Sequence, residues 1–290
     1  MLKRLAIVLV CFGFLLAGCA GGQTPQKSDE SSAHPPKFAA GTTMAALQAA
    51  KSIRIGVKFD QPNLGYKSPD SKIPTGFDIE IAKIIAEHLG LDVGEITWVR
   101  TDSVDREQYL LDNTVDIVVA SYSMTPQRQN LIGQAGPYLV TGQQIMVRKD
   151  DADINTAEDL KGRKVCTVTG SSSTNLIVDK FHADPWPTDS YAKCVDALLA
   201  GTVEAVSTDG AVLMGFLINH TDEVKIVGEP FTTERYGIGY KHGDKAMCKF
   251  LTQTLLDSYK DGSWSAAFEE TLGKTGVEAP TPPQPDKCQG

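Results

Sequence analysis

The sequence predicts an α/β protein of two lobes, each a mostly parallel β-sheet flanked by helices. Short apolar runs typical of strands alternate with segments that place apolar residues at helical spacing. The alternation pauses near Gly142 and then restarts, so that two units of roughly 90 to 100 residues follow each other. A chain of 290 residues with 41% apolar residues is long enough to bury a core in each unit.

The first unit starts with segment 52–58, whose alternating apolar residues predict a strand. Phe77, Ile81 and Ile85 then recur at helical spacing, which predicts an amphipathic helix. Segment 116–120 is an uninterrupted apolar run, typical of a strand buried on both faces. We expect strands at 52–58, 96–99 and 116–120, and helices at 76–90, at 104–112 and from Thr125 onward.

The second unit repeats this order after a strand at 144–148. Thr156 and Gly162 bound a short capped helix, and Gly170 opens a tight turn into the next one. We expect further strands at 164–168, 203–207 and 224–227, and helices at 156–160, 175–182, 192–200 and 211–218. A late strand at 236–240 and helices at 245–260 and 263–272 follow, and a proline-rich tail from Glu278 is expected to lie extended on the surface.

The N-terminal residues 1–18 have the pattern of a secretory signal peptide, because Lys3 and Arg4 precede an apolar run. The run is too short for a stable membrane span. Residues 16–19 (Leu-Ala-Gly-Cys) look like a bacterial lipobox, in which the cysteine, here Cys19, is acylated with chains such as palmitate and anchors the protein to the bilayer. An ordinary signal with a chance cysteine is the alternative. Residues 19–44 have the Gly, Ser, Pro and Gln content of a flexible tether.

Charge and motifs exclude several classes of protein. Without the signal peptide the chain has 26 basic and 36 acidic residues, a net charge of −10, so a basic surface for nucleic acid is absent. The sequence has no G-x-S-x-G motif, and Gly237-Ile238-Gly239 lacks the third glycine of a dinucleotide-binding fingerprint. We therefore expect no cofactor.

Four cysteines remain once Cys11 leaves with the signal peptide and Cys19 is assigned to the lipid. In an exported protein an even number favours disulfides, and three pairings are possible. We favour Cys166 with Cys194 and Cys248 with Cys288, because each pair lies within one continuous stretch of a single lobe. A metal site is disfavoured, since no C-x-x-C pair or H-E-x-x-H motif is present.

Three loops bring together the groups that an amino-acid zwitterion would need. The loop 121–128 combines Ser121 and Ser123 with the guanidinium of Arg128, which can grip a carboxylate with two hydrogen bonds. The turn 170–174 offers hydroxyls and amides to an anion, and Asp209 ends a strand where an ammonium would need a counter-charge. Taken one by one, each loop is equally explained as an ordinary helix cap.

Taken together, these stretches resemble the family 3 extracellular solute-binding proteins of ABC importers for polar amino acids, among them the actinobacterial glutamate-binding lipoproteins. The resemblance covers about residues 50 to 275. It is carried by segments 76–82, 115–128, 136–138, 159–162, 169–174, 207–209 and 262–264.

The resemblance implies a type II periplasmic-binding-protein fold. Lobe 1 would comprise residues 45–142 plus 236–290 and lobe 2 residues 143–235, with hinge strands near 142–148 and 232–236. On that division both favoured disulfides lie within one lobe and leave a closing motion free.

The resemblance also implies roles for individual residues. Arg128, with Ser123, would bind the ligand α-carboxylate, and Ser121 would contribute a backbone contact. Asp209 would hold the α-ammonium. From lobe 2, the hydroxyl residues of one loop would close over the carboxylate: Ser172, Ser173 and Thr174.

Lys58 occupies the family position that touches the ligand side chain, which favours glutamate or aspartate; a lysine facing water is the alternative. Arg106 also matches a position of the family, and the sequence leaves open whether it faces the ligand or the hinge. Gln61 and Ser103 stand near positions where relatives carry a stacking phenylalanine, and Phe59, Tyr66 or Tyr122 could substitute.

We therefore expect a monomeric binding protein, not an enzyme, that is held by Cys19 at the outer face of the bacterial membrane and delivers glutamate or aspartate to an ABC permease. A binder of glutamine or another polar amino acid is the alternative. A dehydratase on the same fold is disfavoured because the loops offer no free general acid. The short matches to penicillin-binding enzymes at 190–193 and 274–276 lack their structural context. A sensor for a different membrane partner is also open.

Overall fold

The computed structural model describes residues 36–288 and contains two five-stranded sheets with helices packed against them. The strands are β1 Ile53–Val57, β2 Asp60–Gln61, β3 Gly65–Tyr66, β4 Ile96–Arg100, β5 Ile117–Val118, β6 Gly133–Thr141, β7 Gln143–Arg148, β8 Lys164–Val168, β9 Asp184–Thr188, β10 Ala205–Asp209, β11 Val224–Val227 and β12 Glu234–Tyr240. The α-helices are α1 Thr43–Ala50, α2 Phe77–His88, α3 Arg106–Leu111, α4 Pro126–Gln129, α5 Ser172–Asp179, α6 Tyr191–Leu199, α7 Gly210–Leu217, α8 Lys245–Asp261 and α9 Ser263–Glu270.

In both sheets four strands run in one direction and one runs against them. The first sheet has the order β4-β1-β5-β12-β6, in which β12 pairs antiparallel with both neighbours. The second has the order β11-β7-β10-β8-β9, in which β7 is the reversed strand. The chain passes from the first sheet to the second between β6 and β7, and it returns between β11 and β12. The exact division into lobes stays a prediction.

The helices bury the apolar faces that their spacing predicts. Phe77, Ile81 and Ile85 of α2 are almost fully buried. Against them, Trp264 of α9 packs edge-on to Phe77 with ring centroids 5.5 Å apart, and its indole N–H donates to the backbone oxygen of Tyr138 at 2.8 Å. These contacts fix α2 and α9 on the first sheet, because each large aromatic side chain removes much apolar surface from water.

The N-terminal part of the described chain is packed, which the tether prediction did not include. Helix α1 begins at Thr43, capped by Thr42, and Phe38 contacts Phe250 of α8 edge-on at 5.5 Å. The predicted signal peptide 1–18 and the predicted lipidation site Cys19 lie outside the described residues. Among residues 36–288, no helix is long and apolar enough to cross a membrane.

Two disulfides join the four remaining cysteines in the pairing favoured by the sequence. Cys166 of β8 bonds to Cys194 of α6, and Cys248 of α8 bonds to Cys288. The second bridge holds the C-terminal tail, whose Asp286 N–H also donates to the backbone oxygen of Gly136 at 2.7 Å. The tail is thus attached to the first sheet and α8.

Candidate ligand-binding site

A narrow polar cavity lies between the two sheets, where β5, β8 and β10 end. This is the edge at which ligands bind in sheets of this kind. The lining residues are Gln61, Ser103, Arg106, Ser121, Ser123, Arg128, Ser171, Ser172, Tyr191, Thr208, Asp209 and Val212.

Arg128 is held rigidly in the first turn of α4. Thr125 caps this helix, since its hydroxyl accepts from the Arg128 N–H at 3.3 Å. The guanidinium Nη1 donates to the backbone oxygen of Ser123 at 2.8 Å, Nη2 to that of Gly170 at 3.0 Å, and Nε to Glu107 at 3.0 Å. Because a guanidinium carries five N–H groups, two remain for a ligand.

Arg106, for which the sequence left the role open, lies beside Arg128 on the cavity. Its Nη2 also donates to the Gly170 oxygen, at 3.1 Å, and both guanidinium groups lie over the Tyr122 ring at 4.5 and 4.8 Å. Burial and the nearby Arg128 charge lower the pKa of Arg106 to about 10, so it stays protonated at neutral pH. The cavity therefore has a doubly cationic wall.

Asp209 supplies the anionic group of the cavity. It ends β10, and its Oδ2 accepts from the Tyr236 hydroxyl at 2.6 Å, whereas its Oδ1 is buried without a partner. Burial, followed by the nearby Glu234 charge, raises the pKa of Asp209 to about 7. A buried acceptor without a donor is costly, which indicates a site completed by a cationic group.

Ser121 and Ser123 reach the cavity through a strained turn after β5. Ser121 has a φ of 40°, a backbone conformation that is sparsely populated for serine. Its N–H donates to buried Asp78 at 2.7 Å, and its hydroxyl donates to Gln61 at 2.7 Å. The turn is therefore held from both sides.

Lys58 lies behind the cavity wall. It is 3% exposed, so the alternative of a lysine facing water is wrong. Its Nζ donates to the Ser103 hydroxyl at 2.8 Å, and Ser103 is the residue that lines the cavity. Burial, followed by the Arg106 charge, lowers the pKa of Lys58 to about 7.

The second loop contributes fewer hydroxyls than the resemblance implies. Ser172 lines the cavity together with Ser171, which caps α5. Ser173 is buried with a hydroxyl that has no partner, and the Thr174 hydroxyl donates to the Val168 backbone oxygen at 3.3 Å. Neither Ser173 nor Thr174 is among the residues that line the cavity.

Several lining residues were given no individual role from the sequence: Ser171, which lies in the predicted 170–174 turn, and Tyr191, Thr208 and Val212. Ser171 could have been found from its position before the first residue of a helix. Of the aromatic residues considered, Tyr122 lies beneath the arginines, Phe59 contacts Lys67 and Tyr66 is 40% exposed. Tyr191 is the aromatic residue of the lining.

Comparison with known proteins agrees with this architecture. A family model described as bacterial extracellular solute-binding proteins, family 3, matches residues 53–274. The glutamate-binding protein GluB of Corynebacterium efficiens is 36% identical over 242 residues, covering 80% of this chain and 82% of that protein. The ABC transporter glutamine-binding protein GlnH of Bacillus subtilis is 31% identical over 277 residues, covering 94% of this chain and 98% of that protein.

Among solved structures, an ancestral arginine-binding protein bound to arginine has a TM-score of 0.72 and 30% identity, covering 77% of this chain and 99% of that one. This likeness confirms the predicted two-lobed α/β fold. The family match spans both sheets, including every lining residue of the cavity. This chain belongs to the bacterial extracellular solute-binding proteins, family 3.

Proposed function

We propose that the protein captures glutamate or aspartate between lobe 1 (45–142 plus 236–290) and lobe 2 (143–235) and delivers it to the permease of an ABC importer. It acts as a binding protein and not as an enzyme. Relatives whose names specify glutamate and glutamine support an amino-acid ligand.

The observation that carries the proposal is the pairing of opposite charges across one small cavity. Asp209 presents a buried oxygen without a partner, which an α-ammonium group would satisfy. Arg128 has N–H groups to spare for an α-carboxylate, and Ser123 beside it adds a hydroxyl. An α-amino acid carries an ammonium and a carboxylate group on one carbon atom and could therefore contact Asp209 and Arg128 together.

An acidic ligand side chain would balance the excess positive charge of the residues that line the cavity. Among the lining residues, Arg106 and Arg128 are cationic and Asp209 is anionic, which leaves one positive charge in excess. Glutamate and aspartate carry one net negative charge and so match the cavity, although the −10 charge of the exported chain opposes their approach.

Glutamine is the second candidate, and the position of Lys58 favours it. Lys58 reaches the cavity only through Ser103, whereas the amide of Gln61 lines it directly. An uncharged amide side chain could bind Gln61 and Ser103 without a second carboxylate.

Calorimetric titration with the twenty common amino acids tests the proposal. We expect binding at micromolar concentration or tighter for glutamate or aspartate, and no binding when Arg128→Ala removes the carboxylate partner. Arg163→Ala is the matched control, because Arg163 pairs with Glu204 on the surface. Tight binding of basic amino acids alone would contradict the proposal.

We also propose that Cys19 is acylated and holds a monomer at the outer face of the cell membrane. Two acyl chains would make the attachment lasting. Cell fractionation tests this: the protein should be found with membranes, and Cys19→Ala should release it. A protein that is soluble with Cys19 intact would contradict the anchor.

A further inference from the structure

The segment 60–63, at the turn of the β2–β3 hairpin, contacts two helices that pack on the second sheet. We call it the hairpin tip. On the proposed division the hairpin tip belongs to lobe 1, and the helices that it meets, α6 and α7, belong to lobe 2. Its contacts therefore join the lobes next to the cavity, which Gln61 of the hairpin tip itself lines.

The first contact is a carboxylate at a helix N-terminus. Asp60 Oδ2 accepts from the backbone N–H of Tyr191, the first residue of α6, at 3.0 Å. The first N–H groups of a helix have no partner within the helix, and the capping hydroxyl of Ser190 accepts only from Lys193. Asp60 supplies the missing acceptor and places a negative charge at the positive end of the helix dipole.

The second contact is a close approach of two backbones. A Cβ atom on Gly215 of α7 would lie 2.1 Å from the backbone oxygen of Pro62, a distance at which something must shift. Gly215 has an ordinary helical backbone, so an alanine is strained there only by the hairpin tip. Any side chain at this position would push the two lobes apart.

Tyr191 links these contacts to the cavity. Its N–H is held by Asp60, its ring lines the cavity, and its hydroxyl donates to Ser171 at 3.0 Å. Contacts of the hairpin tip and closure over a ligand are thus made in the same arrangement of the lobes.

We propose that Asp60 and Gly215 are positioning residues that set the equilibrium between the closed and open forms, and through it the affinity for every ligand. This inference rests on the proposed function, since it assumes that the lobes close around an amino acid. Apparent affinity falls in proportion to the fraction of protein in the binding-competent form. Loss of either contact therefore raises the Kd of every ligand by one common factor. A change in the cavity itself would instead affect different ligands by different factors.

The test compares Gly215→Ala with Gly94→Ala, since a Cβ on Gly94 meets open space. We expect Gly215→Ala to raise the Kd of glutamate and of glutamine by the same factor, roughly tenfold. Gly94→Ala should leave both unchanged. In small-angle X-ray scattering at a glutamate concentration of about ten times the wild-type Kd, Gly215→Ala should remain more open than the wild-type protein, while the ligand-free melting temperatures of the two agree.

Asp60→Ala, with exposed Asp70→Ala as its control, removes the other contact and should also raise both Kd values. Unchanged affinity and scattering in Gly215→Ala and Asp60→Ala would overturn the inference, as would a loss confined to one ligand in Gly215→Ala. If the wild-type protein bound no amino acid, the proposed function would fall. The inference would then be decided by whether Gly215→Ala opens the ligand-free protein in scattering.

Discussion

The buried carboxylate of Asp209 can bind a cation, but its burial lowers the stability of the ligand-free protein. Its pKa of about 7 arises from burial and from Glu234, and it means that the folded protein holds a proton that the unfolded chain releases near pH 4. Stability should therefore fall as pH rises from about 4 to about 7, because over this range the unfolded state binds fewer protons. The fold gives up stability at the position where the ammonium is expected.

Asp209→Asn should separate binding from stability. The amide oxygen can still accept from Tyr236, but the buried charge is gone. At pH 8 we expect the free energy of unfolding of the ligand-free protein to rise by about 1 to 3 kcal/mol, whereas at pH 5 it should change little. Urea denaturation at both pH values measures this, with exposed Asp70→Asn as the control. A stability gain of equal size at both pH values would contradict the account, as would retained glutamate binding.

Lys58→Met should weaken glutamate more than glutamine. The charge of Lys58 reaches the cavity through the Ser103 hydroxyl, so only an anionic side chain loses an attraction. Its pKa of about 7 implies that the difference is larger at pH 6, where Lys58 is protonated, than at pH 8. Titration of both ligands at the two pH values measures it, and exposed Lys72→Met is the control. Equal losses for the two ligands would remove Lys58 from the specificity of the site.

The sequence predicts the charged residues of the site better than its hydroxyl groups. Arg128 and Asp209 follow strand ends, where parallel sheets place their ligands, and both line the cavity. Ser173 and Thr174 face elsewhere because only the first residues of α5 point to the cavity. Neighbouring hydroxyl residues in one turn look alike in sequence, and the rotation of the helix decides among them.

At the level of elements, segments with strong apolar periodicity were predicted correctly, whereas strands that contain proline were missed. Helix α2 and strand β1 lie where their patterns indicate. Strand β9 (Asp-Pro-Trp-Pro-Thr) was not predicted, because two prolines disfavour a strand; it is an edge strand that pairs only with β8, where proline is tolerated. Strand β6 was missed because Gly136-Pro137 interrupts it. Helix α1 was also missed, and its first two residues, Thr43 and Met44, had been assigned to the tether.

The C-terminal tail depends on one disulfide. Replacing both Cys248 and Cys288 with alanine should lower the free energy of unfolding by about 2 to 4 kcal/mol, since the closed loop restricts the unfolded chain. The Kd for glutamate should stay the same, because the bridge lies within lobe 1 as proposed. Urea denaturation and titration of the double variant measure both quantities. Unchanged stability, or a changed Kd, would contradict this role.

Across the whole molecule, two short connections join the sheets, and the cavity lies where the sheets meet. Gly142 separates β6 from β7. The return segment 228–233 is bonded to the next residue, Gln143, whose N–H donates to the Thr232 hydroxyl at 2.8 Å. The order of strands and helices predicted two sheets. It could not predict how closely they approach. That distance depends on contacts such as the hydrogen bonds that Arg106 and Arg128 donate to the backbone oxygen of Gly170.

A crystal structure of the protein with bound glutamate tests the central claim most directly. The account predicts the α-ammonium within hydrogen-bond distance of Asp209 Oδ1, the α-carboxylate on Arg128, and the side-chain carboxylate near Ser103 and Gln61. Glutamate bound elsewhere, or bound in this cavity with Asp209 Oδ1 still unpartnered, would contradict it.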